Sequence, residues 1–485
     1  MKFSRTVSIS LLLLTLGIFI IRLILALKGH YLEQVSGSWA ALAVDVSKGI
    51  LYRPLFDEAI GTGGTRWMPL YFVLHGGLIK ITGNAVFSGI ALSLFSSVLL
   101  ISAVCLLLWH YRTNLFSSAV IIALLLCSNN LITAMTAVRG DILAAALNIW
   151  GIYFAVISAG RRSRIILSCF LFTLTIMAKI TSGFGIAAVV IWLWFNRGKR
   201  DAVRYASIFS IFIVIFVIII QAASSGRFLN IFSLLAAGGT TIIKFVKLPF
   251  NFISCIASTD PGSLVILITA LTIMVYKGRD IIRSKYALYM AATLTITLFI
   301  FGSEGIVKNH LIDIHIASVL VIAAFISEYR IETGLVIKCS FIVLIIASTL
   351  NAHSLKQDLK KHPLLASMRH TAGLVDHNKS MISENPWLPI IMGRHVYMLD
   401  PWMLRLIDIK KPVLIESFYK RLDSGGFDCI VFDQDPDAPW IPDWFDYSHF
   451  GRNFMNHLFK HYSFRESHGL YHIYIPAAGK DIRTQ

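Results

Sequence analysis

Long apolar stretches alternate with short polar segments along the first three quarters of the chain. A helix that crosses a bilayer needs about 20 predominantly apolar residues, and eleven stretches come close enough to that length to be interpreted as spans. They are residues 7–27, 85–109, 117–137, 142–160, 164–178, 182–196, 203–222, 262–276, 286–302, 311–327 and 335–351. The pattern therefore predicts a polytopic α-helical membrane protein with about 11 transmembrane helices.

One pair of stretches, 164–178 and 182–196, also admits a different interpretation. Lys179 and Ser182-Gly183 interrupt the apolar run, so the pair is either two spans or one long interrupted helix. The basic clusters at 197–204 and 277–285 favour two spans, because cytoplasmic loops of membrane proteins are enriched in Lys and Arg.

The same rule orients the whole chain. With a cytoplasmic N-terminus, the inside loops carry most of the positive charge, and the alternate loops are poorer in it for their length. The inside residues are Arg112, Arg161, Arg162, Arg164, Arg197, Lys199, Arg200, Arg204, Lys277, Arg279, Arg283, Lys285 and Arg330. An odd number of spans then places the tail, from residue 352, outside the membrane.

Two of the outer loops are long, and long loops in compact proteins are usually functional. Loop 28–84 is dense in polar, aromatic and acidic residues, and its part 38–49 has the pattern of a short helix ending at Gly49. Its apolar segment 68–82 is too short for a span and is typical of an interfacial or re-entrant helix. Loop 223–261 interleaves apolar and basic residues, as in a helix lying among lipid headgroups.

The tail, residues 352–485, differs in composition from the rest of the chain. It holds most of the prolines, many charges, and short strand-like runs at 389–392 and 429–432. We predict a small α/β extracytoplasmic C-terminal domain that follows a transmembrane domain of residues 1–351.

Composition supports the membrane assignment and narrows the function. The 485 residues are 56% apolar and only 15% charged, with a mean hydropathy of +0.69, whereas a soluble domain carries about 25% charged residues. The net charge of +17 is spread over short loops and forms no single stripe, which argues against a nucleic-acid partner. The sequence contains no motif typical of phosphate-binding loops, zinc proteases, serine hydrolases or dinucleotide-binding folds.

The first long loop holds the first group of candidate functional residues. A carboxylate such as Glu33 or Asp45 is suited to act as a general base, and arginines such as Arg53 and Arg66 are suited to hold a phosphate. The alternative is that the acids cap helices and the arginines contact lipid headgroups.

Further candidates lie at the predicted outer ends of later spans. Charged residues at membrane depth are costly, and those that occur usually face a cavity or a partner. The alternatives are snorkelling to the interface and a solvated turn. The candidates are Arg139 and Asp141 before the fourth span, Lys179 between the fifth and sixth, and Glu304, Asn309 and His310 between the ninth and tenth.

Several short motifs together resemble the GT-C glycosyltransferases, in the branch of aminoarabinose transferases and protein O-mannosyltransferases. Residues 43–54 and 63–70 are similar to the first-loop pattern of that family. The other similar motifs are Arg139-Gly-Asp141-Ile-Leu, Ala178-Lys179, Gly302-Ser303-Glu304 with Asn309-His310, and the tail segments 382–386, 391–394 and 399–401.

This resemblance implies transfer of a sugar from a polyprenyl-phosphate donor to a lipid, glycan or protein acceptor. The site would lie on the outer face of the bacterial inner membrane. Arg66, Arg139 and Lys179 would hold the phosphate, while Asp141, Glu304 and His310 would complete the pocket. The family places an acid just before the first-loop helix.

Here the nearest acid, Glu33, is offset from that position. Glu33 and Asp45 are therefore both candidates for the general base. No cofactor is firmly implied, and a divalent metal stays open. The alternative function is a transporter or flippase of lipid-linked saccharides. The chain shows none of the internal repeats that often build transporters.

Overall fold

The computed structural model of this chain is mostly helical. It describes residues 2–477, except 159, 237–247, 279–283, 302–307, 329–332, 361–362, 376–379, 437–444 and 446–448. The predicted site residue Glu304 and the middle of loop 223–261 therefore lie outside the described residues.

Each predicted apolar stretch coincides with a helix or, in one case, a pair of helices. The helices up to the tail are α1 Lys2–Leu27, α2 Gln34–Ser47, α3 Leu70–Thr82, α4 Ala85–His110, α5 Leu115–Leu125, α6 Asn129–Thr136, α7 Asp141–Val156, α8 Arg162–Ala178, α9 Phe184–Asn196, α10 Lys199–Ala223, α11 Arg227–Ala236, α12 Leu248–Thr259, α13 Pro261–Lys277, α14 Lys285–Ile300, α15 Leu311–Glu328 and α16 Thr333–Lys360. The helical, apolar character of this region is confirmed.

The number of spans stays a prediction. Within the described residues, three helices are long and apolar enough to cross a membrane, namely Ala85–His110, Lys199–Ala223 and Lys308–Ser327. The pair α5 and α6, bent by 79°, makes a fourth if it is counted as one span. Six further apolar helices are shorter, with 10–17 residues each.

The bend between α5 and α6 has a physical cause. Asp260, which precedes α13, accepts hydrogen bonds from the Ser128 hydroxyl at 2.5 Å and from the Asn130 backbone N–H at 3.1 Å. In a continuous helix, the donors at the start of α6 would bond to carbonyl groups of the preceding turn. Here these bonds to Asp260 satisfy them instead. The break is thus stabilised by a neighbouring helix.

Helices α8 and α9 are separate, which supports the two-span interpretation. Lys179 is extended, with φ −156°, and a 3-10 turn at Ile180–Ser182 leads into α9. Ile165 near the start of α8 and Leu193 near the end of α9 line the same cavity. The second helix therefore runs back beside the first.

The first long loop folds into two helices and a small hairpin. The short helix predicted there is confirmed as α2, and Gly49 just beyond it has the left-handed φ of +86° that favours glycine. Helix α3 has 13 residues and is about 20 Å long, shorter than a bilayer core. It packs closely on α2, since a Cβ at Gly76 would lie 2.7 Å from the Ala43 carbonyl oxygen.

A four-stranded mixed sheet organises the tail. Its strands are β3 Met381–Ser383, β4 Cys429–Phe432, β5 Tyr462–His468 and β6 Tyr471–Pro476, after the first-loop hairpin strands β1 Phe56–Asp57 and β2 Gly61–Thr62. The spatial order is β3-β4-β6-β5, with β3 and β4 parallel and the other neighbours antiparallel. The tail helices are α17 Leu364–Leu374, α18 Trp387–Ile391, α19 Pro401–Lys410, α20 Glu416–Asp423 and α21 Arg452–His461.

Of the two strand predictions in the tail, one is confirmed and one is wrong. The run 429–432 forms β4. The run 389–392 lies instead in and after the short helix α18. Asn385 accepts a hydrogen bond from the Trp387 N–H at 3.1 Å, as in an Asx turn, and this turn leads through Pro386 directly into the helix. Helix α16 also continues through the domain boundary predicted at residue 351.

The first loop and the tail form one packed unit. The Trp387 indole donates to the Ser36 hydroxyl at 2.8 Å, and the Asn385 amide donates to the Leu32 carbonyl at 3.1 Å. The Thr62 N–H donates to the Tyr397 carbonyl at 2.9 Å. These bonds join residues more than 300 positions apart, so the loop depends on the tail for its conformation.

A buried ion pair lies at the centre of this contact. Arg53 donates from Nε and Nη2 to the two carboxylate oxygens of Asp45 at 2.5 and 2.7 Å, and from Nη1 to the Val396 carbonyl at 2.5 Å. Asp45 and Arg53 are only 3% and 2% exposed. A bidentate pair of this kind is stable when buried because nearly all its donors and acceptors are used.

We predict that Arg53→Ala destabilises the fold by about 3 to 5 kcal/mol, because it leaves the Asp45 carboxylate buried without a counter-charge. Thermal unfolding of the purified full-length protein in detergent measures the effect. The control is Asp57→Asn, since within the described residues Asp57 accepts from the nearby Ala59 and Ile60 backbone N–H groups and the amide oxygen keeps those bonds. Equal stability of the two variants would contradict this role for Arg53.

Candidate functional site

Several loop segments meet at one end of the helical bundle. Helix α7 begins there at Asp141, α8 ends at Ala178, and α15 begins at Leu311 after a 3-10 turn at Lys308–His310. The start of α2 lies against the same end. The connections between these helices therefore bring polar residues together that are far apart in the sequence.

Asp141 is the centre of this group. Its Oδ1 accepts from the Lys179 ammonium at 2.6 Å and from the Asn309 amide at 3.0 Å. The Lys179 ammonium also donates to the Asn309 carbonyl at 3.3 Å. Asp141 is the first residue of α7, where the helix dipole stabilises a negative charge. The three residues thus tie α7, α8 and the entry to α15 together.

Arg139 extends the group to the first loop. Its guanidinium donates to the Glu33 carboxylate and forms an ion pair with it. The Arg139 side chain is only 9% exposed, whereas that of Glu33 is 47% exposed. We call Glu33, Arg139, Asp141, Lys179 and Asn309 the charged cluster. Glu33 is its accessible carboxylate.

Gly140 explains how these residues come so close. A Cβ at this position would lie 3.0 Å from the Trp39 ring and 3.2 Å from the Ala178 carbonyl, tighter than ordinary van der Waals contact. Trp39 in turn packs against Trp67 at 5.2 Å and Tyr71 at 5.3 Å between ring centroids. The absence of a side chain lets the start of α7 pack directly on the aromatic residues of the first loop.

His310 and Arg66 lie at the border of the charged cluster. Burial lowers the pKa of His310, and the nearby charges of Lys179 and Arg66 lower it further while that of Asp141 raises it. The Arg66 Nε lies 3.4 Å from the Asp400 carboxylate, and its guanidinium carbon lies 4.8 Å from the centre of the Trp402 ring. A guanidinium over an aromatic face is stabilised electrostatically. The tail thereby holds a first-loop cation beside the cluster.

Sequence reasoning assigned no role to Asp400 or Trp402, although a local signal was present. Asp400 precedes Pro401, a pairing typical of a helix start. Its Oδ1 accepts from the Trp402 N–H at 3.1 Å and caps α19. That signal predicts the helix but not the contact with Arg66, which depends on the tertiary fold.

A second set of buried acids lies in the tail, where the parallel strands β3 and β4 end. Glu384 follows β3 and Asp433 follows β4, and the Asp433 N–H donates to Glu384 Oε2 at 2.9 Å. His449 Nε2 lies 2.7 Å from Glu384 Oε1. Burial raises the pKa of Glu384 to about 7 and lowers the pKa of His449 to about 4. Burial and the nearby Glu384 also raise the pKa of Asp433.

The structure brings together most of the predicted site residues but separates two of them. Glu33, Arg139, Asp141, Lys179 and Asn309 form the charged cluster, with His310 and Arg66 at its border. Asp45 and Arg53 form their own buried pair instead. Asp45 lies twelve positions from Glu33, which is about 18 Å along α2. The catalytic and binding roles of all these residues stay predictions.

The described residues include no group of three or more His, Cys, Asp or Glu arranged to hold a metal ion. The described part of the site is built from ion pairs and amide hydrogen bonds. The question of a divalent metal stays open.

The arrangement of apolar helices, long first loop and tail is a GT-C-like membrane fold. A scan of protein-family models found no match to the chain, and a search of curated proteins found none either. Solved structures are similar over nearly the whole length. A crystal structure of ArnT from Cupriavidus metallidurans bound to undecaprenyl phosphate matches with a TM-score of 0.58 and 12% identity, covering 96% of this chain and 98% of that one.

The apo structure of the same ArnT matches with a TM-score of 0.54 and 10% identity, covering 91% of this chain and 93% of that one. At such low identity the similarity concerns the fold. It confirms the resemblance to the GT-C fold that the sequence motifs indicate.

We predict that the stability of the protein depends on the protonation of Glu384. An unfolded Glu ionises above its ordinary pKa of 4.5, while the folded protein keeps this carboxyl protonated to about pH 7. Stability is therefore lost as the pH rises between these values, by about 1.4 kcal/mol for each pH unit. Glu384→Gln cannot ionise and lacks this loss, so its melting temperature relative to the wild type rises from pH 4.5 to pH 7.

Thermal unfolding of both proteins across this pH range tests the prediction. His449 has the opposite effect on stability, because its lowered pKa destabilises the folded protein as the pH falls from 6.5 to about 4. This residue is present in both proteins. The exposed Glu416, changed to Gln, is the control and should follow the wild type. Parallel curves for wild type and Glu384→Gln would show that the buried carboxyl is not protonated in the folded protein.

Proposed function

We propose that this protein is a glycosyltransferase that moves a sugar from a polyprenyl-phosphate donor to a lipid, glycan or protein acceptor. The observation that carries the proposal is the charged cluster at one end of a GT-C-like helical bundle. The similar ArnT structure was solved with undecaprenyl phosphate. A donor of that class is anionic at its phosphate and apolar along its chain, so it requires cations beside apolar helices.

The cations of the site fit the phosphate of such a donor. Lys179 and Arg139 lie at the ends of membrane helices, each next to one carboxylate. Arg66 approaches from the first loop and stays 27% exposed. In the transferase these groups bind the phosphate and stabilise the negative charge that develops on it as the sugar leaves.

Glu33 is the carboxylate best placed to activate the acceptor. It is accessible, whereas both oxygens of Asp45 are engaged by Arg53, and Asp141 is buried against Lys179 and Asn309. In the proposed reaction Glu33 accepts the proton of the acceptor hydroxyl or amine. The acceptor atom bonds to the sugar C1, the C1–O bond to phosphate breaks, and polyprenyl phosphate leaves with both electrons of that bond.

The proposed location is the bacterial inner membrane, with a cytoplasmic N-terminus, eleven spans and the charged cluster on the outer face. The basic residues near the starts of α8 and α10 support this orientation, because they lie at the opposite end of the bundle from the cluster. The tail would then be extracytoplasmic and would cover the site from the outside.

We expect Glu33→Gln and Lys179→Met each to reduce turnover by about 100-fold or more, because one removes the base and the other removes positive charge at the leaving phosphate. The assay incubates purified protein with polyprenyl-phosphate sugars and membrane acceptors and measures released polyprenyl phosphate. Asp57→Asn is the first-loop control and should keep wild-type turnover. Thermal unfolding in detergent verifies that each variant is folded.

The same assay separates the transferase from the flippase. A flippase moves the lipid-linked sugar across vesicles containing the protein without releasing polyprenyl phosphate. Movement of the lipid-linked sugar without release of polyprenyl phosphate would refute the proposed function. Full turnover in the folded variants Glu33→Gln and Lys179→Met would refute the proposed site.

A further inference from the structure

A cavity of about 80 Å³ lies among helices α7, α8, α9, α10 and α14. Its lining includes Ser158 just after α7, Ile165 near the start of α8, and Trp192 near the end of α9. The charged cluster lies at the other ends of α7 and α8. Since α7 has 16 residues, the two sites are about 24 Å apart along the bundle. The proposed sugar transfer makes no use of this cavity.

Three cations line the cavity from different helices. Arg197 follows α9, Arg204 is in the first turns of α10, and Lys285 begins α14. One acid, Asp201, lines it too. In the described part of the chain, however, no carboxylate lies within ion-pair distance of Lys285, Arg197 or Arg204, in contrast to the paired cations of the charged cluster.

Trp192 holds two of these cations near each other despite their repulsion. The Lys285 ammonium lies 4.1 Å from the centre of the Trp192 ring, and the Arg197 guanidinium carbon lies 5.6 Å from it. An aromatic face attracts cations and positions them without neutralising them. The charge of the half-buried Lys285 therefore remains available to an anion in the cavity.

The cavity cations differ from other basic residues at this end of the bundle in their position. Lys199 and Arg200 belong to the same basic segment but are exposed and do not line the cavity. Basic pockets between membrane helices are suited to lipid headgroups, because an anion there is held by several helices at once. The cavity is also large enough for a small anionic group, as water takes about 30 Å³ per molecule.

We propose that this cavity binds the phosphate of an anionic ligand, through Lys285, Arg197 and Arg204. A phosphate seated there would bridge α9, α10 and α14 and hold their ends together. The two sources of this chemistry are an anionic phospholipid headgroup and free inorganic phosphate. The proposal does not depend on the sugar transfer at the other end of the bundle.

The test compares two double variants of the full-length protein in detergent. Lys285→Gln with Arg204→Gln removes two cavity cations, and Lys199→Gln with Arg200→Gln removes the same charge outside the cavity. Affinity is measured by Trp fluorescence titration with short-chain phosphatidylglycerol, with short-chain phosphatidylcholine, and with inorganic phosphate. The single variant Lys285→Arg keeps the charge and should still bind, which guards against a loss of binding through misfolding.

We expect the cavity variant to lose about tenfold or more in affinity for one anion, since it lacks two charged hydrogen-bond donors, while the control variant binds as the wild type does. Loss confined to phosphatidylglycerol identifies the headgroup as the ligand, and loss confined to inorganic phosphate identifies the free anion. Equal losses in the two double variants, or no binding of either anion by the wild type, would overturn the proposal.

Discussion

The ion pair between Asp141 and Lys179 determines where the loops of this protein meet. A charge beside apolar helices is costly, and a partner of opposite sign lowers that cost. Asp141 begins α7 and Lys179 follows α8, so their 2.6 Å contact fixes the junction of two membrane helices. Asn309 bonds to both residues and brings in the start of α15. The charged cluster is thus a consequence of satisfying charges at helix ends, and the same charges are the ones to which we assign the proposed chemistry.

Helix α2 connects this junction to the tail. At its start Glu33 pairs with Arg139, and near its end Asp45 pairs with Arg53, which also bonds to the tail at Val396. The two pairs are of similar composition but have different environments. The first has an accessible carboxylate, while the second is fully buried and bidentate. A rigid helix with a structural pair at one end can hold Glu33, the carboxylate that we propose as the base, in a fixed place at its other end.

The sequence predicted the helices well because apolar runs are a local signal. It also anticipated the gathering of Arg139, Asp141, Lys179 and Asn309, since alternating topology places every second loop on the same face. What it lacked was information on contacts across long separations. The pairing of Asp45 with Arg53, and the contact of Arg66 with Asp400, depend on how the tail packs on the first loop. Likewise, the run at 389–392 is as apolar as a strand, but it lies in and after a short helix that follows the turn at Asn385 and Pro386.

Positively charged side chains have different partners at the two ends of the bundle. At the charged cluster each membrane-boundary cation has a carboxylate partner, so the site is preorganised and close to neutral before a substrate arrives. In the proposed transfer, the carboxylates would pair with these cations again each time the phosphate leaves. At the opposite cavity, within the described residues, aromatic contacts take the place of carboxylates around Lys285 and Arg197. That arrangement favours an anion that stays bound. Between the two sites that we propose, it is the distribution of acids, rather than of basic residues, that distinguishes turnover from stable binding.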